Sequence, residues 1–343
     1  MGNMRIDKKL FIELYNLGKN DYEIAELMKI GERTAQRYAQ RLRKKGTIKP
    51  RMDLNLRNKV GSRDIDSEQI REVIKSAKQE WTIPKSKIIK PTNKGFKKYL
   101  YVADNHVPEH DIPAHKAIFK LMEDVNFDGF RVVGDFMDMS PISHWNKNKK
   151  KTLETQRLKE HYAIGNVLLD EFDKRLPKNC DKAYFWGNHE DWYKGLIEEM
   201  PVLEGLISPT TELNLKERGY KVYEDTNYIE RIGRLSVTHG IYATIYAVRR
   251  HIQSFMTNVL FFHTHTIASR TELSSAKEIS IVGYNGGCLC NRAPAYGKNR
   301  PNRWEHGFVI VYYLPNGYFY VDNIRIIKGK FVYNGVLYDG NEK

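Results

Sequence analysis

The chain has 343 residues, of which 41% are hydrophobic and 29% charged, and it carries a formal net charge of +14 at pH 7. Its length is typical of about two globular domains, and no apolar run reaches the ~18 residues that a membrane span needs. Three cysteines are too few for a disulfide scaffold and favour a reducing compartment. Since the first residues also lack the apolar stretch of a signal peptide, we expect a cytoplasmic protein with no membrane partner.

The positive charge is concentrated in the first part of the chain. Residues 1–98 contain 25 Lys and Arg against 12 Asp and Glu, a net charge of +13. The remaining residues contain 31 against 30, a net charge of +1. This asymmetry predicts an anionic partner for the first part, most often nucleic acid.

Three short helices are predicted within residues 1–46. Gly18 ends the first helix, Asp21 begins the second, and the third runs from Glu32 to about Lys45 before Gly46. The residues predicted to face inward from the first two helices are Leu10, Phe11, Leu14, Leu17, Ile24, Ala25 and Leu27.

Residues 21–46, DYEIAELMKIGERTAQRYAQRLRKKG, resemble the helix-turn-helix of resolvase-like and homeodomain-like DNA-binding domains. In this resemblance the third helix lies in the major groove, where Arg and Gln read base edges and the terminal basic cluster contacts phosphates. The DNA contacts that it implies are Arg33, Gln36, Arg37, Gln40, Arg41, Arg43, Lys44 and Lys45. A small helical bundle that contacts protein is the alternative.

The rest of the chain divides into a linker and a larger domain. Residues 47–97 are basic and contain few large apolar residues, which predicts a tether with one short helix near residues 67–81. Residues 98–343 alternate strands and helices at first and are then rich in strands. Helices are predicted at 113–125 and 152–175, and Pro315-Asn316-Gly317 predicts a hairpin turn.

Five polar blocks in the larger domain carry the chemistry, and each follows a predicted strand. In chain order they are Asp104-Asn105-His106, Gly134-Asp135-Phe136-Met137-Asp138, Gly187-Asn188-His189-Glu190, Thr238-His239-Gly240 and His263-Thr264-His265. Carboxylate, amide and imidazole ligands suit Mn²⁺, Fe or Zn²⁺. The blocks hold too many ligands for one tetrahedral ion but enough for two that share a carboxylate, an arrangement that hydrolyses phosphoesters.

This order of blocks resembles that of the calcineurin-like metallophosphoesterases over residues 98–330. The resemblance implies an α/β fold, a four-layer αββα sandwich, here preceded by the small all-α helix-turn-helix domain. It implies two divalent metal ions, Mn²⁺ first with Fe or Zn²⁺ as alternatives. Asp104, His106 and His265 would hold the first ion, Asn188, His239 and His263 the second, and Asp135 would bridge them. His189 resembles the catalytic histidine that protonates the leaving oxygen, Asp138 the carboxylate that orients it, and Glu190 a residue that shapes the loop.

Two positions depart from the family pattern. Phe262 precedes His263 where the family usually has Gly, which alters how closely the backbone packs there. Met139-Ser140 follows Asp138 where the protein phosphatases of the family have Arg-Gly. The missing Arg favours nucleases and phosphodiesterases of this fold over phosphoserine or phosphothreonine phosphatases.

Several weaker features lie outside the five blocks. Residues 143–151 and the stretch from Arg292 to Trp304 are basic and aromatic, so each either contacts nucleic acid or covers the surface. Arg249-Arg250-His251 is expected on a solvated helix face, and His110 and His115 at the surface. Cys288 and Cys290 lack metal-ligand spacing and are expected to serve packing.

The leading functional hypothesis is a dinuclear-metal phosphodiesterase that acts as a DNA nuclease and is targeted by its helix-turn-helix. A phosphatase or small-molecule phosphodiesterase, localised by the same domain, is the alternative. A DNA-bound regulator that retains the hydrolase fold for assembly is a third possibility. The domain arrangement is similar to that of phage and prophage phosphoesterases, which implies a bacterial cytoplasm and viral or host DNA.

Overall fold

A computed structural model describes residues 6–17, 19, 21–48, 95–143, 146, 156–274, 279–293 and 302–342. The chain divides into two compact units, residues 1–88 and 89–343. The predicted linker, with its helix at 67–81, lies almost entirely outside the described residues, as does most of 143–151. Within the described ranges no helix has both the length and the apolar character required to span a membrane.

The first unit contains three helices around a small apolar core. They are α1 (Lys8–Asn16), α2 (Asp21–Leu27) and α3 (Glu32–Lys44). The Asp7 carboxylate caps α1 by accepting hydrogen bonds from the backbone N–H groups of Lys9 and Leu10 at 2.9 and 3.1 Å. The buried core consists of Phe11, Tyr15, Ile24, Ala25, Ala35, Ala39, Leu42 and Ile48.

Three residues that were predicted to face inward are exposed instead. Leu10, Leu17 and Leu27 are 42%, 71% and 58% exposed. Phe11 and Tyr15 lie four residues apart and so share one face of α1. This face of α1 packs into the core, and Leu10 and Leu17 lie beside it on the exposed side.

The second unit contains thirteen strands in its described residues. In chain order they are β1 (Lys97–Val102), β2 (Gly129–Val133), β3 (Asp181–Phe185), β4 (Lys221–Tyr223), β5 (Glu230–Ile232), β6 (Leu235–Val237), β7 (Asn258–Phe261), β8 (Ile267–Ser274), β9 (Ile279–Gly286), β10 (His306–Tyr313), β11 (Phe319–Ile326), β12 (Lys330–Tyr333) and β13 (Val336–Asp339). Its α-helices are α4 (Ile112–Asp124), α5 (Leu158–Asp173), α6 (Asn188–Glu199), α7 (Pro209–Glu212) and α8 (Ala247–Phe255).

The strands form two main sheets and a small ribbon. One sheet has the order β11-β10-β1-β2-β3-β4, with β1 to β4 parallel and β10 and β11 antiparallel. The other has the order β5-β6-β7-β9-β8, in which β6, β7 and β9 are parallel. β12 and β13 pair alone, and the predicted turn at Pro315-Asn316-Gly317 connects β10 to β11.

The two sheets pack face to face, and helices cover their outer faces. Tyr101 and Phe185 of the first sheet share one core with Leu235 and Leu260 of the second. Helices α4 and α5 cover the far side of the first sheet in the largest apolar cluster. Helix α8 covers the second sheet with Ala247 and Ile252. The predicted α/β class is therefore confirmed, with helices and sheets in four layers.

A buried arginine connects the two sheets. Arg131 on β2 is 2% exposed, and its Nε–H lies 3.0 and 2.9 Å from the two carboxylate oxygens of Glu230, at the start of β5. Its Nη2 donates to Asp181 Oδ2 at 2.7 Å, and its guanidinium lies 4.8 Å from the ring centre of Tyr99. Burial lowers the pKa of Arg131, but Glu230 and Asp181 more than offset this and raise it above its ordinary value. The group therefore stays charged inside the sandwich.

Replacing this arginine tests its structural role. Arg131→Ala leaves Glu230 without its cation, so we expect the free energy of unfolding to fall by about 3–5 kcal/mol. Urea denaturation followed by tryptophan fluorescence measures the change, because Trp186 is buried in this unit. The control is Arg270→Ala, which removes an arginine that is about half exposed and paired with Glu272, and should cost about 1 kcal/mol or less. Equal effects of the two substitutions would contradict a special role for Arg131.

Candidate metal centre

The five polar blocks meet at one edge of the sandwich, because each follows the carboxyl end of a strand. Asp104 and His106 follow β1, and Asp135 follows β2, its parallel neighbour. Asn188 and His189 open helix α6 directly after β3. On the second sheet, His239 follows β6, while His263 and His265 lie between β7 and β8. Parallel strands thus bring residues that are distant in the sequence to one site.

The first group of ligand atoms surrounds His265. Its Nε2 lies 3.3 Å from Asp104 Oδ1 and 3.2 Å from His106 Nε2. His106 Nε2 also lies 3.9 Å from Asp104 Oδ1 and 3.9 Å from Asp135 Oδ2. The three side chains that were predicted to hold one ion therefore lie together, with Asp135 beside them.

The second group surrounds His239. Its Nε2 lies 3.3 Å from Asp135 Oδ2 and 3.2 Å from Asn188 Oδ1. Its Nδ1–H donates to the backbone carbonyl of Val133 at 2.8 Å, so Nε2 is the nitrogen left to bind an ion. The rings of His239 and His263 are 5.1 Å apart, and Asp135 contacts both groups through the same carboxylate oxygen.

These donors fit cations. The sets His106, Asp135, His189 and Asp135, His239, His263 each bring their ligand atoms within 4.8 Å of one another. His263 Nδ1 is buried and has no hydrogen-bond partner in the described residues, while the buried Asp104 Oδ1 lies beside the candidate ligands His265 and His106, at 3.3 and 3.9 Å. Since buried polar atoms rarely lack a partner, His263 Nδ1 indicates that a bound ion completes the site.

The electrostatics of the site also favour cations. Burial raises the pKa of Asp135, but the charges of His189 and His239 outweigh it and hold this pKa well below its usual range. Burial lowers the pKa of His239, whereas Asp135 raises it to about 10. Burial likewise lowers the pKa of His265, and Asp104 raises it to about 9. Without metal, protonated His239 and His265 therefore balance the carboxylates, and binding of a metal would release these protons.

The backbone is unusual at most of these ligands. Asp104, His106, Asp135, His263 and His265 all have φ between 49° and 70°, in the left-handed region. Few residues other than glycine adopt this conformation, and such outliers cluster at functional sites. The loops therefore hold the side chains in positions that an extended or helical backbone would not supply.

His189 stands at the mouth of the site and is partly exposed. Its Nδ1–H donates to the backbone carbonyl of Asp138 at 2.8 Å, and its ring lies 4.1 Å from that of Trp192. The predicted partner was the Asp138 carboxylate, but this group lies 3.7 Å from His189 Nδ1 and only 3.2 Å from His106 Nδ1. Asp138 thus orients His189 through its backbone and His106 through its side chain.

Glu190 connects two of the loops. Its buried carboxylate accepts backbone hydrogen bonds from Asp135, Met137 and Gly187 at 2.9–3.0 Å, and one from the Tyr184 hydroxyl at 2.8 Å. The sequence resemblance assigned it a role in shaping the loop, and these four contacts describe how it acts.

The unusual Phe262 is accommodated by a glycine on the neighbouring strand. Phe262 is fully buried between the sheets, and a side chain at Gly286 on β9 would overlap its ring. The backbone N–H of Phe262 donates to the carbonyl of His239 at 2.8 Å. The Phe262 side chain therefore fills the core between the two sheets, next to His263 in the chain.

Sequence reasoning missed three residues that support the site. His115 was expected at the surface but is buried, and it bonds the Asn105 side chain at 2.8 Å. His251 was expected on a solvated face but is buried against Phe261, and its Nε2 accepts from the backbone N–H of Ile241 at 3.0 Å. Cys290 was expected only to pack, yet it forms a third potential ligand set with His106 and His265. Asn105 and Ile241 lie ten residues from their histidines, and His106 and His265 lie farther from Cys290, so the short-range pattern of the sequence does not indicate these roles.

The predicted DNA contacts lie on α3 and, for Lys45, directly after its last residue, apart from the metal centre in the sequence. Arg33, Gln36, Arg37, Gln40, Arg41, Lys44 and Lys45 are exposed. Arg43 is only partly exposed, because its Nε–H donates to the Tyr15 hydroxyl at 3.1 Å and it lies 3.9 Å from the Asp21 carboxylate. It therefore supports the three-helix core rather than the exposed face.

Comparisons with known proteins show only a distant similarity of fold. No family model and no curated protein matches the chain. Among solved structures, an archaeal phosphodiesterase is 14% identical, with 66% of this chain and 98% of that one covered, at a TM-score of 0.34. A metallophosphoesterase from Sphaerobacter thermophilus is 15% identical (67% and 88% covered, TM-score 0.33). Vacuolar protein sorting 29 from Cryptosporidium parvum is 11% identical (71% and 96% covered, TM-score 0.34). Such low sequence identities and TM-scores do not transfer a function, so the function has to be derived from the site.

The close packing of Gly187 against Asp135 can be tested by substitution. A Cβ at this position would overlap Asp135 Oδ1, the oxygen that accepts the backbone N–H of His189 at 2.8 Å. We therefore expect Gly187→Ala to lower the bound metal from about two ions per chain to fewer than about one, measured by plasma mass spectrometry. Gly195→Ala, within the helix α6 that Gly187 precedes, is the control, since a Cβ there meets no atom within 4 Å outside its own helix backbone and metal content should not change. Full metal occupancy in Gly187→Ala would show that the packing does not constrain Asp135.

Proposed function

We propose that this protein is a dinuclear-metal phosphodiesterase of the calcineurin-like type and that its substrate is DNA. The single observation that carries the proposal is the position of Asp135, whose Oδ2 lies 3.9 Å from His106 Nε2 and 3.3 Å from His239 Nε2. A carboxylate placed between two ligand groups is what two neighbouring ions require as a bridge.

The residues divide into two ligand sets and a proton donor. Asp104, His106 and His265 would hold one ion, and Asn188, His239 and His263 the other. When bound, two such ions offset the charge of the phosphate and lower the pKa of the attacking water. Mn²⁺, Fe and Zn²⁺ all accept this mixture of oxygen and imidazole nitrogen, and we favour Mn²⁺.

His189 is placed to complete the hydrolysis. Because its Nδ1–H is engaged by the Asp138 carbonyl, Nε2 is the atom that can carry a proton to solvent or substrate. As the phosphorus–oxygen bond to the leaving group breaks, protonated Nε2 would give its proton to that oxygen. The ring contact with Trp192 and the bond to Asp138 hold the imidazole in one orientation for this step.

The first unit supports nucleic acid as the substrate. Helix α3 buries Ala35, Ala39 and Leu42 and, apart from Arg43, presents its Arg, Gln and Lys side chains to solvent. A basic helix of this kind fits the major groove of DNA, as in helix-turn-helix domains. We infer that it raises the local concentration of DNA at the metal centre.

The first test is DNA cleavage. With Mn²⁺, the full chain should cleave at least one of linear duplex, single-stranded or circular DNA. His189→Ala should slow cleavage by about 10²- to 10⁴-fold, because it removes the proton donor. The control is His110→Ala, a partly exposed histidine outside the two ion-binding sets. Intact DNA together with His189-dependent hydrolysis of bis(p-nitrophenyl) phosphate or p-nitrophenyl phosphate would favour the small-molecule alternative.

The second test addresses DNA binding by α3. Lys44→Gln together with Lys45→Gln should weaken binding to a labelled duplex and reduce the slope of log K against log salt by about 2, as two phosphate contacts are lost. Fluorescence anisotropy over a range of salt concentrations measures this slope. Lys8→Gln with Lys9→Gln on α1 removes the same charge at another face and should change the slope less. Identical slopes for the two double variants would rule out α3 as the specific contact.

A further inference from the structure

An open cleft lies beside the metal centre. It has a volume of about 800 Å³, and His263 and His265 form part of its wall. Its other principal lining residues are Ile245, Thr264, Asn285, Arg292, Arg303 and Trp304. We call it the Trp304 cleft. A group bound here would lie directly next to a phosphate held by the ions.

Trp304 is fixed in position. Its ring lies 4.3 Å from that of His265, in an edge-to-face arrangement, and is only partly buried. Its backbone N–H donates to Asn302 Oδ1 at 3.1 Å, and the Asn302 side chain donates to the carbonyl of Arg292 at 2.7 Å. The next residue, Glu305, donates its N–H to the carbonyl of His265 at 2.7 Å. The indole is therefore held against the metal-binding loop before any ligand arrives.

The cleft carries positive charge that the described part of the chain does not neutralise. Arg325 pairs with Glu305 at 2.6 Å, but Arg292 and Arg303 form no salt bridge with any described residue. Both are exposed. Unpaired guanidinium groups beside a phosphoesterase centre attract phosphate groups.

Another part of the cleft lining is apolar. It contains Ala243, Val248 and Ile245, of which Ile245 is 70% exposed. A ligand that contacts both the apolar and the basic lining residues needs a flat apolar face and a negative charge. A nucleotide has both, since its base can stack on an indole and its phosphate can bind arginine.

We propose that the Trp304 cleft binds the nucleotide next to the scissile phosphate, with its base stacked on Trp304 and its phosphate on Arg303. This inference rests on the proposed phosphodiesterase function. A base inside a duplex is already stacked and paired, so only an unpaired nucleotide can enter the cleft. The preferred substrate is therefore single-stranded DNA, or a single-stranded end, rather than intact duplex.

The experiment compares two substrates that have the same phosphate backbone. One is a single-stranded thymidine oligonucleotide, and the other is an oligonucleotide of equal length in which abasic spacers replace the nucleosides. The wild-type chain with Mn²⁺ should cleave the first with a kcat/KM about 5- to 150-fold higher than the second, the range that stacking of one base supplies. A duplex of the same length should be cleaved more slowly than the single strand.

Two variants separate base stacking from support of His265. Trp304→Ala should bring the ratio of the two kcat/KM values close to unity, whereas Trp304→Phe should retain most of it. Tyr320→Ala, which removes an aromatic side chain that is 67% exposed and does not line the cleft, should retain the full ratio. If Trp304→Ala slows both substrates equally and preserves their ratio, the residue only supports the metal centre and the inference fails. Equal kcat/KM values of the wild-type chain for the thymidine and the abasic oligonucleotides also overturn the inference.

A last measurement distinguishes failure of this inference from failure of the proposed function. If the wild-type chain cleaves no DNA but hydrolyses bis(p-nitrophenyl) phosphate, thymidine 5′-monophosphate and deoxyribose 5-phosphate are compared as inhibitors. At least about tenfold stronger inhibition by the nucleotide, lost in Trp304→Ala, supports a base-binding cleft in an enzyme that is not a nuclease. Equal inhibition by the two compounds overturns the cleft inference as well.

Discussion

The candidate metal centre depends above all on one buried carboxylate. Glu190 accepts three backbone hydrogen bonds from the loops after β2 and β3 and a fourth from the Tyr184 hydroxyl. An ionised carboxylate without such partners would be too costly to bury. Burial raises the pKa of Glu190, and the charge of Asp135 raises it further. The four donors offset part of this cost, and the carboxylate holds the backbone of Asp135 between its two groups of ligands.

The loops that carry the proposed ligands are strained and also depend on hydrogen bonds between loops. Five of the proposed ligands adopt left-handed backbone conformations, which the chain would leave if nothing held it. Hydrogen bonds between loops oppose this, such as those from the His106 N–H to the Asp135 carbonyl and from the Leu289 N–H to the Asp104 carbonyl. The site is therefore organised before an ion binds, at the expense of backbone strain.

The sequence predicted the site better than its surroundings. Polar residues directly after apolar strands can be recognised from the local sequence pattern. Parallel strands then bring these positions together, so all seven proposed ligands lie at one edge of the sandwich. The supporting histidines could not be predicted, because burial of His115 and His251 depends on contacts with other elements. Helix α6 was also missed, since its first turn is the Gly187-Asn188-His189-Glu190 block and resembles the end of a strand. The exposed Leu10 and Leu17 show that an apolar stripe does not determine which of its members the core can hold.

The fit between Phe262 and Gly286 has a consequence for how this chain can change over evolution. The aromatic ring occupies the space that a side chain on the neighbouring strand would need. A larger residue at position 286 would overlap the Phe262 ring, so it is tolerated only after residue 262 has become small. A smaller residue at position 262 can come first, because it leaves only a void next to the site. The two positions should therefore be substituted in a fixed order, with the smaller residue at 262 preceding the larger one at 286.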